Sequence, residues 1–426
     1  MELAALHRAH VEKLARETAA ALEKTGFSAV VIHSGTLLKR TEADDQYWPL
    51  RPTPHFQHWL PLPEPGCFLV IAPGRKPALH RSPEQSFWET PAPLESEHFW
   101  GSFDVAVGKP SLPPGRVAFV GDDLRAAGGL EANPPSLVSA LDQLRVTKTP
   151  YEIECLAEAN RRGARGHEEL RKLFKGGDKA ELELHLAFLG ATRQDDAETP
   201  YKNIVALGRH AATLHHIAYE KRAQPAGSLL LDAGACFAGY CSDITRTWVK
   251  GGGALASAYG QLVAGLESTQ QRLCASVRVG MPYEELHDQS HRLAAGVLRE
   301  VGISRSSVDE LVSRGITRAF YPHGLGHSLG LQCHDVGCAL RPPRKDNPFL
   351  RNTTVIAEGQ VFTIEPGIYF IDALLEPLRD SADVDWKLVD GLAAFGGVRI
   401  EDDVVVKADG IRNLTREVLP QGGGVA

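Results

Sequence analysis

The sequence predicts an α+β fold in two domains: a smaller N-terminal α/β domain over residues 1–147, then a larger α+β domain over 148–426. Three observations predict it. At 426 residues the chain exceeds what one hydrophobic core usually serves. Between Ala29 and Val146 the short apolar runs "AVVIH", "CFLVIA" and "VAFVG" alternate with helical or proline-rich stretches, the pattern of a small α/β domain. After a break at "RVTKTPYEIECLAEANRRGARGHEELRKLF", helical segments are set apart from strand-like runs that read as antiparallel.

The elements follow in order. "MELAALHRAHVEKLARETAAALEKTG" mixes charges with Leu3, Leu6, Val11, Leu14 and Leu22, which suits an amphipathic helix closed by Gly26. It holds no uninterrupted apolar stretch, so a signal peptide is not expected. "WPLRPTPHFQHWLPLPEPG" is too punctuated for regular structure and is expected to wrap over a surface. At the break, Thr149 supplies an N-cap, Pro150 the first helical position, and Glu152 and Glu154 an acidic first turn. Helices are expected near 151–175, 179–193, 255–277, 283–301 and 307–315, with strands at "NIVALG", "SLLLDAGACFAGYCSDITRTWV", "QVFTIEPGIYF" and "GGVRIEDDVVV".

Composition narrows the function classes. The chain is 43% hydrophobic and 23% charged, which is ordinary for a globular protein. A net charge of −7 argues against a nucleic-acid or anionic-membrane partner, either of which calls for a basic face. Small polar substrates stay open. No run of about eighteen apolar residues offers a membrane span. Seven cysteines, an odd number without a CxxC pair, fit a reduced, cytoplasmic chain better than a disulfide framework.

Four carboxylates stand where a buried strand should carry apolar residues. In "LLLDAGACFAGYCSDITRTW" a turn near Phe237 to Gly239 places Asp232 and Asp243 almost opposite each other, and like charges across a strand pair repel. Aspartate is also common in turns, so the hairpin alone demands no ligand. In "VFTIEPGIYF", alternation puts Val361, Thr363 and Glu365 on one face, and Pro366 keeps Glu365 extended. In "FGGVRIEDDVVV" the same alternation groups Arg399, Glu401 and Asp403, where Glu401 has the alternative of a simple ion pair with Arg399. An ionised glutamate buried in such a strand is costly unless paired or metal-bound.

The stretch "PHGLGHSLGLQCHDVG" adds imidazoles. His323 and His327 are four apart, but Pro322 and the glycines argue against a helix, and the glutamate of a zincin HExxH is missing. In extended geometry His323 and His327 share a face, and glycine lets backbone approach a site closely. Four carboxylate charges are balanced by two divalent cations, and oxygen donors with one nitrogen suit Mn²⁺, with Co²⁺, Fe²⁺ or Zn²⁺ able to substitute. Two such ions, about 3.5–4 Å apart, hold a hydroxide between them for hydrolysis.

"LLLDAGACFAGYCSDITRTW", "HGLGH", "TIEPGIY" and "RIED" occur in the order and approximate spacing of the pita-bread metallopeptidases, and the chain resembles that family. The resemblance extends through "HSGTLLKRTEADDQYWP", "TPYKNIVALGRHAATLHH", "GIYFIDALLEPLRD" and "NLTREV", so it covers essentially the whole chain, and it is closest to the proline dipeptidases and organophosphorus acid anhydrolases. It implies a C-terminal pita-bread (creatinase/aminopeptidase-like) catalytic domain behind a creatinase-N-like α/β domain. It also implies that Asp232 chelates one metal, that Asp243 and Glu401 bridge both, and that His327 and Glu365 complete the other site. Glu365 would shuttle the proton, and His215 and His334 would contact the scissile carbonyl. His323 would wall the substrate pocket, Arg399 would steady Glu401, and Arg379 would hold the dipeptide's carboxylate. Asp45 would reach a neighbouring subunit's site, with Tyr201 lining the same small pocket.

His216, Cys241 and Cys333 depart from the family's usual tyrosine, alanine and valine, and all three fall near the expected pocket. The implied activity is hydrolysis of Xaa-Pro dipeptides by a homodimer with two divalent ions per subunit, Mn²⁺ being expected. Phosphotriester hydrolysis is the rival within enzymes. A non-catalytic binding protein on the same fold is the rival outside them, and the presence of all five candidate ligands argues against it.

Overall fold

The computed structural model describes residues 2–83 and 93–425. The chain forms two compact units, Met1–Cys155 and Leu156–Ala426. In the first, α1 (Leu3–Thr25) buries His7, His10, Val11, Leu14, Thr18, Ala21 and Leu22, a stripe at helical spacing. It stops at Gly26, whose φ of 76° lies in the left-handed region that glycine adopts without strain.

A six-stranded mixed sheet follows: β1 (Ala29–His33), β2 (Phe68–Ile71), β3 (Ala78–Arg81), β4 (Asp104–Val107), β5 (Val117–Val120) and β6 (Glu131–Ala132), in the order β4-β3-β2-β1-β5-β6. The central β1 pairs antiparallel with β2 and parallel with β5. Val30, Ile32, Leu69 and Ile71 pack on the side of Leu14 and Leu22, while Val31, Val70 and Phe119 build a second cluster, so apolar residues fill both faces. The proline-rich segment is not wholly irregular. Pro54 opens one helical turn, α2 (Pro54–Gln57), and Phe56, Trp59, Leu60 and Leu62 are buried in the first cluster. α3 (Pro135–Leu144) closes the unit.

In α4 (Pro150–Lys175), Thr149 and Glu152 form a reciprocal capping box: the Thr149 N–H donates to Glu152 Oε2 at 2.7 Å, and the Glu152 N–H to Thr149 Oγ1 at 3.4 Å. The second unit continues with α5 (Glu181–Thr192), α6 (Ala254–Ser276) and α7 (Tyr283–Glu300). Its first sheet contains β7 (Ile204–Leu207) and β8 (Ser228–Asp232). A hairpin of β9 (Cys236–Phe237) and β10 (Tyr240–Cys241) leads back into that sheet as β11 (Thr245–Val249). Then come β12 (Val361–Ile364), β13 (Gly367–Tyr369), β14 (Gly397–Arg399), β15 (Asp402–Lys407), β16 (Gly410–Asn413) and β17 (Gly423–Val425). Pairing is antiparallel apart from β17, which adds to β11 in parallel. α6 and α7 supply Leu262, Val263, Leu266 and Leu298 to a core that also holds Ile368, Val398 and Ile400. No helix among the described residues is long and apolar enough to cross a membrane.

Residues 322–330 form no helix. They lie beside β12, where the Thr363 N–H donates to His327 O at 3.0 Å and the Glu365 N–H to Leu325 O at 2.8 Å. The approach requires Gly326: a Cβ there would stand 2.2 Å from Thr363 O. β12 pairs with β15, and the Glu401 N–H donates to Thr245 O at 3.1 Å, which ties that strand to the β8–β11 hairpin. Asp232 faces Thr245 in the register, so Asp243 is offset from Asp232 instead of directly opposite. Gly234 allows the hairpin to close, because a Cβ there would stand 1.9 Å from Ser242 O.

Gly234→Ala therefore forces backbone apart at the base of this hairpin. It is expected to lower stability by about 1–3 kcal/mol, the usual range for overpacking. Thermal unfolding at the wild-type midpoint would contradict the close approach.

Candidate metal centre

Asp232 ends β8, Asp243 precedes β11, Glu365 follows β12, and Glu401 sits in the break between β14 and β15. Asp232, Asp243, His327 and Glu401 are 8%, 4%, 5% and 2% exposed, so solvent can stabilise little of their charge. Asp243, His327 and Glu401 each bring one ligand atom within 4.8 Å of the others. His327 Nδ1 lies 3.1 Å from Ser328 O and donates to it, which turns Nε2 toward the carboxylates. Nε2 is 3.4 Å from Asp243 Oδ2 and 3.6 Å from Glu365 Oε1.

Burial raises the pKa of Asp232 and Glu401, and the neighbouring carboxylates add to it. Burial also pushes Glu365 up to about 7, with His327 and Arg399 opposing. Burial would raise Asp243 as well, but the bonds and charge of His327 outweigh it and hold Asp243 at about 2. The same pairing, against burial, lifts His327 to about 9. The cluster thus gathers protons to offset its own negative charge, and divalent cations would serve the same purpose. Oxygen donors with one imidazole nitrogen fit hard or borderline divalent ions.

Two groups steady the carboxylates from outside. The Tyr201 hydroxyl lies 2.7 Å from Asp232 Oδ1 and 2.6 Å from Asp243 Oδ1. Arg399 Nη2 donates to Asp232 Oδ2 at 2.6 Å. The direct hydrogen bond from Arg399 thus goes to Asp232 and not to Glu401. Arg399 reaches Glu401 through its charge and through Thr245, whose Oγ1 accepts from Arg399 Nε at 3.2 Å and donates to Glu401 Oε2 at 2.5 Å. Nor do Arg399, Glu401 and Asp403 share one environment. Asp403 lies beneath the cluster, its Oδ2 accepting from the Asp243 N–H at 3.0 Å and from Asn160 Nδ2 at 2.8 Å.

The two histidines of "HGLGH" separate in role. His323 Nδ1 bonds Gly324 O and Nε2 bonds the Tyr369 hydroxyl, both at 2.8 Å, so neither nitrogen is open to an ion. Burial, with the Arg399 charge, lowers its pKa to about 3, and it stays neutral. His334 stands edge-on to His327, ring centroids 4.3 Å apart. His215 is close enough for its charge to act on both His323 and His334. Arg379 is not drawn into this cluster: Nη1 donates to Asp390 at 2.7 Å and the guanidinium packs over the Trp386 ring. Asp45 is an exposed loop residue of the first unit, its carboxylate accepting from Gln46 Nε2 at 3.2 Å.

Sequence reading missed Tyr369, Thr245 and Glu181. Tyr369 accepts from Arg399 Nη1 at 2.8 Å and so joins His323 to Asp232. Glu181 is fully buried and bonds His210 Nδ1 at 2.7 Å, His216 Nε2 at 2.8 Å and the N–H groups of Leu207 and Glu220. His216 is thereby turned onto Glu181, and the chain that carries His215 is anchored at the next residue. The strand alternation around Tyr369 was a usable signal. Glu181 had none, because a first-turn glutamate reads as an ordinary helix start.

The chain is a metal-dependent hydrolase of metallopeptidase family M24, which it matches over residues 154–408. Residues 5–143 match the family described as "Xaa-Pro dipeptidase, N-terminal domain". The chain is 42% identical to the Xaa-Pro dipeptidase of Marinobacter nauticus, covering 97% of this chain and 98% of that one. It is 40% identical to the Xaa-Pro dipeptidase of Aeromonas hydrophila, covering 96% and 97%. In fold it is similar to proline aminopeptidase P II from Yersinia pestis, with a TM-score of 0.73 at 21% identity over 97% of each chain.

Asp243→Asn is expected to lose metal and activity together while keeping its fold, which metal analysis and circular dichroism check; unchanged metal content would remove Asp243 from the centre. Metal-free protein should lose stability as pH rises from about 6.5 to 9. Across that window folded His327 keeps a proton that the unfolded chain has released. Glu365, raised from 4.5 to about 7, contributes with the same sign at lower pH. Denaturant midpoints of chelator-treated protein across this range give the slope.

Proposed function

We propose that this chain is a cytoplasmic, homodimeric Xaa-Pro dipeptidase holding two Mn²⁺ ions per subunit. The observation that carries the reading is the convergence of Asp232, Asp243, His327, Glu365 and Glu401 in one buried cluster. The near full-length relatives named Xaa-Pro dipeptidase support the substrate. Free thiols at all seven cysteines suit a reducing compartment.

Asp232, Asp243, His327, Glu365 and Glu401 would hold the ions. Such ions, when bound, supply Lewis acidity and lower the pKa of water. The protein's own groups do the rest. Glu365 accepts the proton of the attacking water and returns it to the proline nitrogen as the peptide bond breaks. His215 and His334 donate to the carbonyl oxygen as it gains charge. Neutral His323, locked to Tyr369, forms a wall of the substrate pocket. Tyr201 and Arg399 hold Asp232 and Asp243 in place. Arg379, oriented by Asp390 and Trp386, offers a planar fork to the dipeptide's carboxylate. Asp45 completes the partner subunit's pocket.

Turnover of Leu-Pro by Mn²⁺-loaded enzyme tests the reading, and inactivity on Xaa-Pro dipeptides would refute it. Glu365→Gln should cut kcat far more than it changes KM. Arg379→Ala should lower kcat/KM on Leu-Pro roughly ten- to a hundredfold, the loss of one charge-assisted bond, while leaving a phosphotriester nearly unaffected. Equal losses on both substrates would remove Arg379 from carboxylate recognition.

A further inference from the structure

Between Asp232 and Asp243 the chain turns through Ala238 and Gly239, whose φ angles of 50° and 84° make the two-residue turn favoured by tight hairpins. Phe237 pairs with Tyr240 and Cys236 with Cys241. The N–H groups of the two cysteines do not bond across the pair. The Cys236 N–H donates to Gln194 Oε1 at 2.8 Å and the Cys241 N–H to Gly330 O at 2.9 Å. The next pair along is bonded, with the Ser242 N–H donating to Ala235 O at 2.8 Å. The cysteines therefore occupy a non-hydrogen-bonded cross-strand pair. There Cα atoms approach to about 4.5 Å and side chains lie closest, within the separation a disulfide spans. Both thiols are free. Cys236 is partly exposed and Cys241 is buried, so a reagent from solvent meets Cys236 first.

We propose that Cys236 and Cys241 form a reversible dithiol–disulfide site, oxidised by peroxides, on the hairpin that positions Asp243. The Cys236 sulfur attacks the peroxide O–O bond and becomes a sulfenic acid. The peroxide's second oxygen leaves as water with the thiol proton. The Cys241 sulfur then displaces the hydroxyl, which departs as a second water with the Cys241 proton, and the S–S bond forms. One peroxide is reduced for each disulfide. A disulfide favours Cα atoms about 5.5–6 Å apart, so forming one across a pair near 4.5 Å spreads the strands. Asp243, two residues beyond Cys241 and held by Tyr201 and Cys333, is pulled from its place. Oxidation therefore weakens metal binding, and a dithiol reductant restores it. The claim about metal rests on Asp243 being a ligand, as proposed above, whereas the formation of the disulfide does not.

Reduced, full-length protein treated with stoichiometric hydrogen peroxide tests this. Tryptic peptide 223–246 contains Cys236 and Cys241 and no other cysteine. It should lose the mass of two hydrogen atoms and both alkylatable thiols, and regain them with dithiothreitol. Cys236→Ser and Cys241→Ala should each block the change. Mn²⁺ affinity of the oxidised protein, read by calorimetry, should fall about ten- to a hundredfold, as when a group supporting a ligand is disturbed, and Cys241→Ala should keep its affinity after peroxide. A bridge to Cys333, a sulfinic acid without a bridge, or a bridge that leaves Mn²⁺ affinity unchanged would overturn the proposal. A bridge that forms and weakens Mn²⁺ binding in a protein inactive on Leu-Pro would refute the dipeptidase reading and leave this one standing.

Discussion

The second unit is organised around mutual repulsion. Asp232, Asp243, Glu365 and Glu401 converge with little solvent around them, and each pushes the others toward protonation. Local side-chain preferences cannot hold such a group together. Backbone hydrogen bonding does: residues 325–327 are laid along β12, β12 along β15, Glu401 against Thr245, and β11 along β8. Each carboxylate rides on a strand, or the end of one, whose amides are satisfied elsewhere, so none can retreat without breaking a ladder. The glycines at 234 and 326 permit the two closest backbone approaches in that ladder.

Around this frame a few hydrogen bonds divide labour between residues of the same type. His323 and His327 are four apart on similar backbone, yet Tyr369 and Gly324 occupy both nitrogens of one, whereas Ser328 occupies only Nδ1 of the other. One imidazole is left neutral with both nitrogens taken, and the other turns Nε2 toward the carboxylates. The carboxylates differ likewise. Asp232 takes a full charge-assisted bond from Arg399, Glu401 a hydroxyl from Thr245, and Asp243 the phenol of Tyr201. Glu365 has the least support, and burial pushes its pKa up to about 7.

A further layer keeps that frame rigid. Asp403, itself buried, anchors the Asp243 amide and is held by Asn160 of α4; Thr415 Oγ1 donates to Asn160 Oδ1 at 2.7 Å and accepts from the Asp403 N–H at 2.9 Å. Arg246, with no exposed surface, donates to Glu401 O at 2.8 Å and pairs with Asp402 at 2.9 Å. Buried networks of this kind fix geometry more than they add stability, since desolvation consumes much of the pairing energy. Here they set the strand break that turns Glu401 toward the cluster while Asp402 and Asp403 face elsewhere.

By itself the sequence determined most of the elements and marked the carboxylates and the histidine that the fold brings together. Helix periodicity, the Thr149 cap and the stop at Gly26 are local, and a carboxylate inside an apolar strand is conspicuous because burying it is costly. The motifs in their order added the family. Partners were decided only by tertiary structure. Arg399 was legible as a guanidinium near Glu401, but its choice of Asp232 follows from a register between strands more than 150 residues apart. Alternation placed Asp403 with Glu401, and the break before β15 undid that, because period two holds only while a strand runs unbroken. Glu181 stayed hidden for the same reason. Its four partners meet through loop folding, and no spacing along the chain records which distant groups a buried carboxylate will satisfy.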